Sequence, residues 1–308
     1  MSTPRVGFLG PIGTFTHEAL RSQDDLLAGE IVAYPTIGEA LHAVNSGDVD
    51  VAVVPLENAI EGTVSATVDG LIFENELLIT REIVLPIQLH LMAPAGVALT
   101  DVTEVWSYSH ALAQCRTFLQ QSLPGVPTKI SASTADAARI VSEVTGTLAA
   151  VAPAIAAEIY GLAIVATDVE DHDGNATRFV VVGRSTIPAP TGHDRTTIVS
   201  FQDADRPASL YGILGRFAAR DINLTKLESR PTKRGLGDYC FVIEFEGHIA
   251  EDVIADCLTD LQTHLTRVKF LGSYPVTGEE AAVRREDVTA ARAASDEWMA
   301  QLRRHIKN

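Results

Sequence analysis

Short apolar runs alternate with amphipathic stripes along the first part of the chain, punctuated as strands and capped helices are. Arg5–Gly10 reads as a strand entering the turn Pro11-Ile12-Gly13-Thr14-Phe15-Thr16. Thr36 with Glu39 has the spacing of a capping box, Ile37, Leu41 and Val44 form the stripe behind it, and Gly47 stands where a helix C-terminal glycine belongs. Val51–Val54 predicts a buried strand closed by Pro55. Ser133 followed by Asp136 starts a helix with Ile140, Val141 and Val144 on its face. Ala149–Ala152 reads as a strand, Pro153 as the first residue of a helix that Gly161 ends, and Phe179–Val182 as the closing strand. Such alternation predicts an α/β domain with a largely parallel sheet.

The pattern changes after Arg184. Two prolines and a glycine without apolar periodicity make residues 186–195 a linker. Beyond it, Thr196–Phe201 is a strand, and Leu210, Leu214 and Phe217 mark one helical face. Leu224–Glu228 and Tyr239–Glu246 are strands around a turn at Lys233–Gly237. Ile254, Leu258, Leu261 and Leu265 make a second helix and Val268–Tyr274 the last strand. The order βαββαβ is ferredoxin-like and occupies residues 196–275. A helical tail over 276–308 carries Ala291, Ala294, Trp298, Leu302 and Ile306 on one stripe, expected to pack on a subunit surface.

A chain of 308 residues suits about two domains, and 46% apolar against 21% charged residues supplies enough core for ordered folding. Twenty-four basic and 40 acidic residues leave a formal charge of −16. That surface repels phosphate backbones and anionic headgroups, and no local basic patch offsets it, so neither nucleic acid nor membrane is expected as a partner. Three cysteines without paired spacing argue against a disulfide framework and a zinc ribbon. The start, Met-Ser-Thr-Pro-Arg, has no secretory pattern, and the longest uncharged stretch, Ile83 to Thr100, is broken by prolines and a glycine. The expected location is the cytoplasm.

Phosphate loops, dinucleotide fingerprints, zinc-protease motifs and serine-hydrolase elbows are absent, and the nine histidines lack ligand spacing. Three polar segments remain. Gly10–Thr14 joins a strand to a helix start, which suits a carboxylate or phosphate, or is a tight turn with Thr14 or Thr16 as N-cap. Pro55-Leu-Glu57-Asn58-Ala-Ile-Glu61-Gly62-Thr63 follows a buried strand and is either part of a ligand crevice or a solvated loop. Asp171–Phe179 feeds a strand. There Arg178 can hold a carboxylate at two points and Thr177 can donate to a leaving oxygen, or the two are an ordinary surface arginine and a β-forming threonine.

Taken together and in order, these segments resemble the prephenate dehydratase family. The matching motifs are Gly10-Pro-Ile-Gly13-Thr14-Phe15, Pro55-Leu-Glu57-Asn58 with Glu61-Gly62, and Asn175-Ala-Thr177-Arg178-Phe179. The C-terminal portion resembles the ACT regulatory domain, with Glu228-Ser229-Arg230-Pro231 matching the family's phenylalanine-binding motif. The resemblance spans residues 5 to about 275. It implies a two-lobed catalytic domain like type II periplasmic binding proteins over 1–185, with lobes at about 1–80 plus 171–185 and at 84–170, followed by the ACT domain. It also implies conversion of prephenate to phenylpyruvate with loss of water and carbon dioxide, without metal or cofactor, in a homo-oligomer regulated by phenylalanine. Thr177, Arg178 and Phe179 then carry catalysis, with Thr14, Asn58, Glu61, Gly62, Ser107 and Gln114 around the substrate. Pro207, Ala208, Ser209, Leu210 and Glu228–Pro231 take the effector. The chain departs from the family pattern in two places: Ser107-Tyr108-Ser109-His110 stands where the family has Ser/Thr-His-Pro-Gln, so that Tyr108 replaces the His and His110 the Gln, and Ala208 replaces a glycine. Arogenate as substrate, or small-anion binding without chemistry, are the alternatives.

Overall fold

The computed structural model describes residues 3–202, 207–233, 235, 237–277, 297–299, 301 and 303–305. The chain divides into two compact units, Met1–Leu77 with Ile83–Arg184, and Leu78–Glu82 with the chain from Ser185 onward.

The first unit holds two sheets, one per lobe. Strands β1 (Arg5–Leu9), β2 (Glu30–Tyr34), β3 (Val51–Asn58), β4 (Gly62–Thr63), β5 (Leu78–Pro86, of which Ile83–Pro86 belong to this unit) and β11 (Ala176–Gly183) form the first, in the order β2-β1-β3-β11-β5 with β4 beside β3. Strands β6 (His90–Ala93), β7 (Glu104–Ser107), β8 (Thr128–Ile130), β9 (Leu148–Ala152) and β10 (Ala163–Ala166) form the second, in the order β10-β6-β9-β7-β8. Both sheets are mixed rather than largely parallel. β1 runs parallel to β2 and β3, and β7 to β8 and β9, whereas β11 opposes β3 and β6 opposes β9 and β10. The opposed strands belong to the stretches where the chain passes between the lobes, and a returning strand enters its sheet without the crossover helix that parallel pairing needs.

Strand alternation builds the second lobe's core on both faces. Ala149 and Val151 of β9 pack with Leu89, Leu91 and Cys115, while Ala150 and Ala152 meet Ala137, Ala138, Val141 and Ala156. The helix Thr134–Glu143 thus buries an alanine face with Val141; Ile140 is half-buried and Val144 lies past the helix end, exposed. Ser133 accepts from the Asp136 N–H at 3.0 Å, Thr36 from that of Glu39 at 3.2 Å, and Gly47 and Gly161 take left-handed caps. Pro153 is the N-cap of Ala154–Tyr160, one residue before the expected position. Pro55 does not end its strand. It pairs with Phe179 where the β11 register shifts, and a proline is tolerated where the ladder is already irregular.

The second unit contains β12 (Asp194–Phe201), β13 (Leu224–Pro231), β14 (Tyr239–Glu246) and β15 (Arg267–Pro275) in the antiparallel order β13-β14-β12-β15, a ferredoxin-like sheet. The helices Ser209–Ala218 and Asp252–His264 cover one face, burying Ile213, Phe217, Ile254, Cys257 and Leu261 on Ile198, Ile243 and Phe245. Ile213 takes the place expected of Leu214, which is half-buried. β12 starts at Asp194, inside the expected linker, because the Asp194 carboxylate accepts from the N–H groups of Thr191 and Gly192 at 2.8 and 3.0 Å and closes the turn. Of the tail stripe, Ala291, Ala294, Leu302 and Ile306 lie outside the described residues; Trp298 is exposed.

Candidate active site

Register places the candidate residues of the first lobe. β11 pairs with β3 so that Thr177 lies across from Asn58 and Arg178 across from Glu57. Successive side chains of a strand leave on opposite faces, so these are two separate pairs. On one face the Asn58 Nδ2 donates to Thr177 Oγ1 at 2.8 Å and to Asn175 Oδ1 at 3.0 Å. The Asn58 Oδ1 accepts from the N–H groups of Ile60 and Glu61 at 2.9 and 3.0 Å, which closes the turn between β3 and β4. On the other face Arg178 Nη2 meets Glu57 Oε2 at 2.8 Å, with the arginine side chain only 10% exposed. Arg178 is therefore engaged by a carboxylate of the protein itself.

The bonded residues continue into the second lobe. Asn175 Nδ2 donates to Gln114 Oε1 at 3.3 Å, Gln114 Nε2 to Glu61 Oε1 at 3.5 Å, and His110 Nδ1 lies 3.0 Å from Glu61 Oε2. Gln114 and His110 lie on the helix Ser109–Gln114, and the His110 ring stacks on Tyr108 at 5.3 Å and 9°. The family departure at Tyr108 and His110 thus stands at the end of this chain of bonds. Thr177 is almost buried, and its oxygen accepts from Asn58 while its hydrogen has no acceptor among the described residues.

Other candidates lie elsewhere. Ser107 is fully buried and donates to the Val151 carbonyl at 2.6 Å, a bond between β7 and β9. Gly62 turns the β3–β4 hairpin with φ +78°. Phe179 is core, packed with Val6, Phe8 and Val53. Thr14 is the N-cap of Phe15–Arg21, accepting from His17 N at 3.4 Å and donating to the Pro11 carbonyl at 3.0 Å. Its loop touches the other lobe, since Tyr160 donates to the Ile12 carbonyl at 3.2 Å and Phe15 packs into both lobes' cores. Cys115, buried behind Gln114, has its thiol pushed up to about 12 by burial and by Glu170 and Asp171, so no thiolate nucleophile arises there. Among the described residues no His, Cys, Asp and Glu group is placed to hold a metal ion, and no helix is long and apolar enough to cross a membrane.

Sequence reading quoted Asn175 only within a motif and missed His17. The His17 ring stacks on Phe8 at 5.3 Å and its Nδ1 accepts from the Gly13 N–H at 3.2 Å, which requires the unprotonated nitrogen. Burial, reinforced by Arg21 and opposed by Glu158, lowers its pKa from 6.5. The folded value lies below the unfolded one, so the stabilisation is present above the unfolded pKa and lost as pH falls through the folded value. Between roughly pH 7 and 5 the unfolding midpoint should fall more steeply for the wild type than for His17→Asn, which retains an acceptor but does not titrate. Equal slopes would assign the loss to other groups.

In the second unit a cavity of about 510 Å³ is lined by Gln202, Pro207–Tyr211, Ser229, Gly237–Tyr239 and Phe241. Of Glu228–Pro231 only Ser229 reaches it; Arg230 Nη1 bonds Glu228 Oε1 at 2.8 Å, two residues away on the alternate side of β13.

The family model for prephenate dehydratase matches residues 6–187. A prephenate dehydratase of Amycolatopsis methanolica is 41% identical over 308 residues, 97% of this chain and 98% of that one. The crystal structure of prephenate dehydratase in complex with L-Phe from Arthrobacter aurescens is 37% identical with a TM-score of 0.82, covering 96% of this chain and 99% of that one. GqqA, described as a novel type of quorum-quenching acylase, is 29% identical with a TM-score of 0.80, covering 89% and 98%. One fold thus appears under two described activities, and the particular residues must decide between them. With the family model over residues 6–187 and 41% identity along nearly the whole chain, the chain belongs to the prephenate dehydratase family.

Proposed function

We propose that this chain converts prephenate to phenylpyruvate with release of water and carbon dioxide, acting as a carbon–oxygen lyase. One observation carries the reading: Asn58 donates to Thr177 Oγ1 at 2.8 Å, which directs the hydroxyl hydrogen away from the amide. Prephenate carries a ring hydroxyl that leaves poorly as hydroxide. A donor at that oxygen lets it depart as water while the ring carboxylate leaves as carbon dioxide and the ring becomes aromatic. Thr177 is a weak acid, so it hydrogen-bonds the departing oxygen and relays a proton whose source is solvent. The Asn58 amide, bonded to the threonine oxygen, stabilises the charge that develops there during the relay. Arg178 holds Glu57 on the reverse face and so supports the β3–β11 pairing behind the site.

The test is to mix purified protein with prephenate or arogenate and follow aromatic product. Phenylpyruvate from prephenate is expected. Phenylalanine from arogenate alone would reassign the substrate, and no product from either would leave a binding protein.

The same reading includes feedback by phenylalanine, supported by the cavity of the second unit and by the relative solved with L-Phe. Phenylalanine should inhibit the wild type, and Ser229→Phe, which fills the cavity, should abolish that inhibition. Unchanged inhibition would place the effector elsewhere. Ala208 bears on this site through its backbone as well as its methyl group, because it caps Ser209–Ala218 with φ +67°. A left-handed alanine costs about 1 kcal/mol relative to glycine, so Ala208→Gly should raise the unfolding midpoint by a few degrees. A lower midpoint would show that the alanine is not strained. Among the described residues β13 is an edge strand of its sheet, the place where a second copy could add a strand, which supports assembly.

A further inference from the structure

The bonds around Thr177 admit one donor direction, and the residue that transmits it is Asn175. The starting point is the backbone. Ile60 and Glu61 present N–H groups to Asn58, so the oxygen of that amide must face them and its nitrogen must face Asn175 and Thr177. The Asn175 oxygen is then turned to Asn58 and its nitrogen to the Gln114 oxygen. That leaves the Gln114 nitrogen facing the Glu61 carboxylate. Reversing any one amide would oppose like groups at both of its ends. Asn175 is 5% exposed, and its own carbonyl accepts from Ile87 N at 2.8 Å, which holds its backbone in place.

We infer that Asn175 is a positioning residue: it holds the Asn58 amide in the orientation that leaves the Thr177 hydrogen for the substrate, and ties that orientation to the second lobe through Gln114. The inference rests on the proposed dehydratase reading. Asn175 touches no reacting atom. Its effect belongs in kcat, because Thr177 acts on the departing oxygen in the transition state.

Asn175→Asp separates this role from a merely structural one. An ionised carboxylate in that place accepts from Asn58 but cannot donate to Gln114. Turning Gln114 to satisfy it would set the glutamine oxygen against Glu61. A protonated carboxyl accepts at one oxygen and donates at the other, as the native amide does. The charged groups around the bonded amides are Glu61 on the β3–β4 hairpin, His110 on the helix Ser109–Gln114, and Asp171, whose N–H donates to the Gln114 carbonyl at 2.6 Å, with His172 and Asp173 just ahead of Asn175 in the chain. The Arg178–Glu57 pair occupies the reverse face. Burial among mostly anionic neighbours raises the introduced carboxyl above the usual ~4, into an accessible range.

Steady-state kinetics with prephenate at several pH values, each variant referred to wild type at the same pH, make the test. For Asn175→Asp we expect kcat about ten- to a hundredfold down near pH 8, recovering as pH falls, with KM little changed. Asn175→Ala should show the deficit without recovery. Should both fail to fold, Gln114→Glu carries the same signature, because its carboxyl can donate to Glu61 only when protonated. A kcat for Asn175→Asp close to wild type, or a deficit that no pH relieves in either acidic variant, overturns the inference. Absence of turnover by the wild type would instead overturn the dehydratase reading. Turnover that Thr177→Ala abolishes but Asn175→Asp leaves intact would remove the positioning role alone.

Discussion

Thr177→Ala should lower kcat by about two to four powers of ten and leave KM nearly unchanged, the scale for losing a positioned proton-transfer or oxyanion-type group. The expectation follows from a single oxygen. Thr177 is almost buried, its hydroxyl accepts from Asn58, and its hydrogen has no acceptor among the described residues. Alanine removes that donor and leaves the Asn58 amide turned by the same backbone N–H groups of Ile60 and Glu61. Thr177→Ser retains the hydroxyl and should retain most of the rate, whereas Thr177→Val keeps the shape and should behave as alanine does. Near-normal kcat in the alanine and valine variants would make Thr177 a β-forming residue with no part in the chemistry. A rise in KM without a fall in kcat would instead make it a ground-state binding group.

Gly272→Ala should destabilise the second unit by about 3 kcal/mol or more, combining backbone strain with overpacking. Gly272 lies in β15 where its register with β12 shifts, at φ +145°, a conformation that L side chains rarely adopt. An added Cβ would collide with the backbone carbonyl of Ile79, and a main-chain oxygen cannot rotate out of the way as a side chain can. Ile79 is fixed in turn, because Glu82 three residues on is buried and bonded to Arg195 Nη1 at 2.6 Å and to Thr277 N at 3.0 Å. The unfolding midpoint should drop by ~10 °C or more. A midpoint within about 2 °C of wild type would show that residues 78–82 yield freely.

What the sequence by itself determined lies within reach of a few residues. Ser133 and Asp136, Thr36 and Glu39, and the caps at Gly47 and Gly161 are local bonds and local dihedrals, readable as spacing. The βαββαβ order was legible because each of its elements carries its own period. Four residues named from the sequence for the candidate site, Asn58, Thr177, Glu61 and Gln114, lie in one chain of hydrogen bonds. The tertiary structure alone decided the rest. Asn58 and Thr177 are 119 positions apart, and only the β3–β11 register makes them neighbours; a slip of one residue would put Arg178 in that place. The same register sends Arg178 to Glu57, and the packing of β7 on β9 turns Ser107 inward to a carbonyl. Asn175 could be given no role before the fold, because a positioning residue is defined by the partners on either side of it, and both of its side-chain partners come from distant parts of the chain.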